Sequence, residues 1–160
     1  MGLICTLDEL IEEHKAIYGN EIPRSCALTN GVFDILHVGH IRLLEAAAKK
    51  AGYLVIAVNS DSSTQRLKGS RRPIVPLVER MEVLAALQYG DYIISFEEDT
   101  PERVIEALKP RLLIKGNGYT LDTIPERVLV ESYGGNVILL GSPDTPTSTS
   151  IINKIRSVEE

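Results

Sequence analysis

The stretch Thr29-Asn30-Gly31-Val32-Phe33-Asp34-Ile35-Leu36-His37-Val38-Gly39-His40 decides how the rest of the chain is read. It continues an apolar run at residues 25–29 and passes straight into a helical periodicity over 40–51, where Ile41, Leu44, Ala47 and Ala48 fall on one face. Two of the chain's three histidines therefore stand at a helix N-terminus, with Gly39 between them. A helix start offers unpaired N–H groups and the positive end of a dipole, and glycine lets a ligand approach the backbone closely. With two imidazoles able to donate as well, the segment is a phosphate-binding arrangement made without a glycine-rich loop. A zinc site would need a third ligand, and none lies nearby, Cys5 and Cys26 being distant in sequence. A core or capping role would suit either histidine alone but not the pair beside Gly39.

Outward from this segment, further short apolar runs at 53–59, 92–95, 111–114 and 136–140 read as strands. Between them, 77–87 carries Val78, Met81, Leu84, Ala85 and Leu87 on one helical face. A helix over 101–108 opens with Thr100 as a cap and Pro101 at the first helical position, and another over 125–132 also opens on proline. Helices over 7–18 and 148–158 begin and close the chain. Strands that alternate with helices, and are too apolar for one-sided exposure, require a parallel sheet covered on both faces. The expected fold is a doubly wound, Rossmann-like α/β domain with a five-stranded parallel sheet. It forms a single unit over 1–160, with an N-terminal helix within 1–22 and a core over 24–156. In such sheets ligands bind beyond the carboxyl ends of the strands, where the strand order reverses. That singles out the loops 30–39, 60–76, 115–123 and 141–147.

Composition narrows the function. A chain of 160 residues can bury a core without disulfides, and 44% apolar with 24% charged residues excludes wholesale disorder. Seventeen Lys and Arg against 22 Asp and Glu give a formal charge of −5, which argues against a nucleic-acid surface but leaves room for a local basic pocket. The longest apolar runs are strand-sized, so no membrane span is expected. Asp8, Glu9, Glu12 and Glu13 are the opposite of a signal peptide's basic start. Two cysteines with no CxxC pair point to neither a disulfide framework nor a cysteine-rich metal site. The expected location is the cytoplasm.

The candidate loops hold most of the remaining chemistry. Lys68 stands in a basic cluster with Arg66, Arg71 and Arg72 and is best placed to reach a phosphate as a point charge, whereas Arg71 and Arg72 read equally as solvated surface. Thr147-Ser148-Thr149-Ser150 runs into the last helix with four hydroxyls, where an ordinary cap needs one. No GxGxxG follows the first of these strands, which excludes a Rossmann dehydrogenase. Size and charge leave no tRNA-binding surface for a synthetase fragment. A non-catalytic nucleotide-sensing module would not need both histidines, Lys68 and the hydroxyl run together.

The segment ending in His37-Val38-Gly39-His40 resembles the HxGH signature of the cytidylyltransferase-like nucleotidyltransferases. Over about residues 3–155 the resemblance becomes more specific. Ala57-Val-Asn-Ser-Asp61, Arg66-Leu-Lys-Gly69, Arg72-Pro-Ile-Val-Pro-Leu77, Glu79-Arg-Met81 and Ser95-Phe-Glu-Glu-Asp-Thr-Pro101 look like the D-glycero-β-D-manno-heptose 1-phosphate adenylyltransferase domain of ADP-heptose synthesis. The resemblance implies transfer of AMP from ATP to a sugar phosphate with release of pyrophosphate, and Mg²⁺ carried with the triphosphate. It also implies a homodimer, a separate sugar kinase in the pathway, and a role in lipopolysaccharide-core or related surface-polysaccharide precursors. A sugar phosphate is already ionised near pH 7, so the reaction needs positioning and charge neutralisation more than a general base.

By the same resemblance His37, His40 and Lys68 are the catalytic residues. Asn30, Gly31, Val32, Phe33, Gly39, Gly116 and Asn117, with Thr147, Ser148, Thr149 and Ser150, would bind nucleotide, and Arg80 would either join them or pair with a neighbouring acid. Asp34, Asn59, Asp61 and Tyr119 would face the acceptor, and no residue is assigned to a resident metal. Two positions depart from related patterns. Gly118 stands where the heptose-type pattern has aspartate, and Pro143 and Asp144 stand where glycerol-3-phosphate cytidylyltransferases carry an arginine. The second departure favours ATP over CTP.

Overall fold

β3 (Tyr53–Asn59) shows why the sheet must be covered twice: every residue after Tyr53 is buried. Leu54, Ile56 and Val58 pack on one face with Leu44 and Ala47 of α2 (Val38–Ala48) and Met81, Leu84 and Ala85 of α4 (Leu77–Ala86). Val55 and Ala57 pack on the other face. There they meet Leu7 and Leu10 of α1 (Leu7–Tyr18), Val104, Ile105 and Leu108 of α5 (Glu102–Leu108), and Val130 of α6 (Arg127–Ser132). Side chains alternate across a strand, so a continuous apolar run supplies two cores at once. The structure, a computed structural model, describes residues 1–19, 25–116, 118–141 and 145–158.

The remaining strands are β1 (Leu3–Ile4), β2 (Cys26–Gly31), β4 (Tyr92–Phe96), β5 (Leu112–Lys115) and β6 (Asn136–Leu139). Among the described residues the sheet has six strands in the order β1-β4-β3-β2-β5-β6, all parallel, against the expected five. The extra strand is β1, held at the edge by Leu3 N–H donating to Asp91 O and Cys5 N–H to Ile93 O. Two residues are too few to show a periodicity, so their sequence carried no strand signal. From β2 the chain builds through β3 to β4 in one direction, then crosses back to place β5 and β6 on the other side of β2. The switch point therefore falls between β2 and β5, where Thr29 Oγ1 donates to Ile114 O at 3.0 Å.

Two local expectations also change. The loop 60–76 contains a helix, α3 (Asp61–Lys68), capped by Ser60 Oγ accepting from Ser63 N–H. Its sequence has a single large apolar residue, Leu67, so no amphipathic pattern announced it. Gly69 ends it at φ 97°, a backbone conformation that glycine adopts without strain. At α5, Pro101 itself takes the cap position, its carbonyl accepting from Ile105 N–H, and no side chain caps the helix. Thr100 lines the ligand cavity instead. The last helix, α7 (Ser148–Val158), runs over the expected residues.

Candidate active site

A cavity of about 480 Å³ opens at the carboxyl ends of β2, β3 and β5, as the switch-point argument requires. His37 caps α2: its backbone is extended, and its Nδ1 accepts from Gly39 N–H at 3.1 Å. That bond makes Nδ1 an acceptor, so in the neutral ring the proton sits on Nε2, free to donate to a ligand. His40 stacks on His37 with ring centroids 3.9 Å apart and planes inclined by 32°. Burial, reinforced by the neighbouring His37, pushes the His40 pKa down to about 4, and burial also lowers that of His37. Both rings are therefore neutral donors near pH 7 in the free protein, and a bound polyanion would favour their protonation. His40 Nδ1 is buried and has no partner among the described residues.

Gly39 serves this pair directly. A Cβ there would stand 2.8 Å from His37 Cε1, 2.9 Å from its Nδ1 and 3.2 Å from Pro146 O. Gly39 does not itself line the cavity; it lets the His37 ring fold back over the helix start and the 145–147 segment pass close by. Phe33 holds the other side of His40, with ring centroids 5.3 Å apart. It does so at φ 50°, an uncommon conformation for a bulky residue and one that concentrates at functional sites.

The start of α7 faces the same cavity, through Thr147, Ser148 and Thr149. Its hydroxyls are mostly used by the protein. Thr147 Oγ1 accepts from Ser150 N–H and Ser150 Oγ accepts from Thr147 N–H, both at 3.0 Å, a reciprocal cap. Ser148 Oγ donates to Ile35 O at 3.1 Å, tying α7 to the histidine segment. Thr147 Oγ1 accepts only and keeps its O–H to donate, and Thr149 makes no side-chain hydrogen bond among the described residues, so both hydroxyls can serve a ligand, together with first-turn N–H groups of the helix. The expectation of four converging hydroxyls is thus corrected, with Ser150 acting as a cap outside the cavity lining.

Lys68, also in the cavity lining, ends α3, exposed and without an ion pair among the described residues. The expected loop lysine is therefore a helix-terminal one. Arg72 also lines the cavity, but its Nε donates to Asp34 Oδ2 at 2.5 Å. Asp34 additionally accepts from Ile74 N–H and Val75 N–H at 2.8 Å. Burial alone would raise the Asp34 pKa, but those backbone bonds and Arg72 outweigh it and hold it below the usual carboxylate range. Asp34 lines the cavity while clamping the 72–75 segment that borders it.

The other expected residues divide. Asn30, Gly31, Val32, Asn59 and Tyr119 line the cavity. Asn59 Nδ2 donates to Ser63 Oγ at 3.0 Å, and the Tyr119 ring centre lies 5.4 Å from Lys115 Nζ. Arg80 and Asp61 are absent from the cavity lining. The Arg80 side chain is buried, reaches Val32 O and Val75 O, and pairs with Asp61 Oδ1 at 2.8 Å. Of its two open roles it takes the pairing one, bracing the site from behind. Gly116 lies beside the lining, and Asn117 lies outside the described residues, as do Pro143 and Asp144. A Cβ at Gly118 would meet nothing within 4 Å.

Glu126, Leu67, Asp99 and Pro125 line the cavity without a site signal of their own in the sequence, and so does Lys115, which opens the 115–119 stretch expected at the pocket but had no role assigned. Only tertiary structure brings them there. Lys115 had one visible signal, a cation at the end of a strand whose following loop was already under suspicion. Among the described residues no group of three His, Cys, Asp or Glu side chains is placed to hold a metal ion, and no helix is long and apolar enough to cross a membrane.

A parallel sheet entered at its switch point, with a histidine-capped and a hydroxyl-capped helix start facing one cavity, defines a Rossmann-like α/β protein whose site suits a phosphorylated ligand. The chain belongs to the cytidylyltransferase-like family, which it matches over residues 28–155. It is 50% identical over 127 residues to the bifunctional protein HldE of Geobacter sulfurreducens, covering 79% of this chain and 26% of that protein. It is likewise 50% identical over 133 residues to HldE of Salmonella paratyphi A, covering 83% and 28%. The chain thus spans only about a quarter of the length of these curated relatives. Among solved structures it is similar to a lipopolysaccharide core biosynthesis protein from Thermoplasma volcanium GSS1, with a TM-score of 0.64 at 27% identity over 74% of this chain and 98% of that one. A pantoate-beta-alanine ligase from Francisella tularensis shares the fold, with a TM-score of 0.58 at 14% identity, covering 100% and 79%.

Proposed function

We propose that this chain is an adenylyltransferase that moves AMP from ATP onto D-glycero-D-manno-heptose 1-phosphate, giving ADP-heptose and pyrophosphate. The observation that carries the reading is the stacked His37–His40 pair at the start of α2, with the α7 start packed beside it at the same cavity. An oxygen of the sugar phosphate attacks the α-phosphorus of ATP in line, and the bond to the bridging oxygen of pyrophosphate breaks. Nε2–H of His37, the His40 ring and the two helix starts are the donors for charge developing on the transferring phosphoryl group. Lys68 and the Thr147 and Thr149 hydroxyls suit the β- and γ-phosphates, and the side of the cavity lined by Asn59 suits the acceptor. Mg²⁺ enters as part of the triphosphate substrate.

The sugar identity rests on the extended motif resemblance and on the 50% identity to HldE proteins. The description of those relatives as bifunctional fits a second activity outside the matched quarter, and a kinase that installs the acceptor's phosphate is the step this reaction requires. A homodimer and a cytoplasmic location belong to the same reading through the family resemblance. The test is a pyrophosphate-release screen of sugar and polyol phosphates against ATP and CTP. ATP with the heptose phosphate is expected to exceed CTP at least tenfold, a difference of about 1.4 kcal/mol in the barrier. Preference for CTP with glycerol 3-phosphate would make this a polyol-phosphate cytidylyltransferase instead, and no release with any pair would leave a nucleotide-binding module.

A further inference from the structure

Glu126 follows Pro125 just before α6, a place where a glutamate ordinarily points to solvent. Here its side chain is 4% exposed and lines the cavity. Oε1 lies 3.2 Å from Lys115 Nζ, while Oε2 is buried without a partner among the described residues. Lys115 Nζ also donates to Asn30 Oδ1 at 2.7 Å, so the lysine is held between β2 and β5 and neutralises the carboxylate without occupying its second oxygen. A buried carboxylate oxygen left without a donor is unfavourable, and an ion pair kept for stability alone gains by satisfying it.

The missing partner must be a donor. Phosphate groups are excluded by charge and have their own donors at the starts of α2 and α7. The neutral donors of a nucleotide are its sugar hydroxyls and its base amine. An acidic side chain beyond the strand ends of a parallel α/β sheet is a recurrent partner for ribose hydroxyls. Glu126 stands there, next to the β2–β5 switch point, with its cation beside it. We propose that Glu126 Oε2 accepts a hydrogen bond from a ribose hydroxyl of the bound nucleotide, with Lys115 as its fixed counter-charge. This rests on the nucleotide reading above and adds to it a residue that sets the pose of the sugar.

Equilibrium binding in the absence of acceptor tests it, with ATP, 2′-deoxy-ATP, 3′-deoxy-ATP and inorganic tripolyphosphate as probes. The parent is expected to bind ATP at least tenfold more tightly than the analogue lacking the contacted hydroxyl, because that analogue leaves a buried acceptor unpaired. Glu126→Gln should bring ATP and that analogue within about threefold of each other while leaving tripolyphosphate affinity unchanged. Should this variant not fold, Lys115→Met combined with Glu126→Leu removes both charges together and must likewise abolish the discrimination. Equal binding of ATP and both deoxy analogues by the parent overturns the proposal. So does a loss in Glu126→Gln that is as large for tripolyphosphate as for ATP, since Glu126 would then only hold the cavity's shape. If the parent binds neither ATP nor tripolyphosphate, the nucleotide reading falls and takes this inference with it; ATP bound without discrimination overturns the inference alone.

Discussion

His40 is half-buried between His37 and Phe33, and two consequences follow from its neutral state. His40→Ala should lower kcat by more than a hundredfold, about 3 kcal/mol, with a much smaller change in nucleotide affinity, because the lost donor acts on charge present only in the transition state. Steady-state kinetics beside equilibrium binding separates the two. The second consequence concerns stability. Its folded pKa of about 4 lies below the ordinary value of 6.5, so between those values the unfolded chain binds the extra proton and stability falls as pH falls. From pH 7.5 to 5 this group alone removes about 2 kcal/mol, and urea titrations of the parent should show that loss where His40→Gln does not. How much of this was legible depends on the residue. The histidine pair could be read because spacing and a helix start lie within four positions. Arg80 could not: its acid, Asp61, is the neighbour expected only in outline, and the carbonyls of Val32 and Val75 that settle its role are brought to it by the fold.

At the scale of elements, α2 and α3 present the chemistry and are set by their ends. Gly39→Val would put side-chain atoms where the His37 ring and Pro146 O already stand, so it should displace both the cap and the α7 approach. A loss of turnover of at least a hundredfold is expected; full activity would show that the close packing at this helix start is dispensable. Lys68→Met should weaken triphosphate binding and turnover together by tenfold or more. Its unfolding free energy should stay within about 0.5 kcal/mol of the parent's, since the lysine is exposed and unpaired among the described residues. A large drop in melting temperature with unchanged kinetics would reassign it to structure. Periodicity made α2 and α4 readable. It missed α3, whose polar sequence is held by Ser60 and by Arg66 reaching Asp99 and Glu97 O, contacts made across more than thirty positions.

For the whole molecule, the alternation of strand and helix was enough to give a doubly wound parallel sheet, because apolar strands admit few other arrangements. The order of strands, and with it the neighbourhood of Lys115 and Glu126, was not readable, since no local signal says that β5 returns to lie beside β2. The same crossover governs how the cavity comes into being. Its walls are joined by Thr29 to Ile114 and Asn30 to Lys115, each 85 positions apart, and by Ser148 to Ile35, 113 apart. Contacts of such separation close most of the chain into a loop, and that entropy cost leads us to expect them to form late on the way to the native state. A nucleotide can then meet only a finished molecule, and it acts on escape from the native basin, not on arrival there. Saturating ATP should therefore slow the unfolding limb of a denaturant chevron and leave the refolding limb in place, whereas faster refolding with ATP would mean that the pocket is already assembled at the barrier.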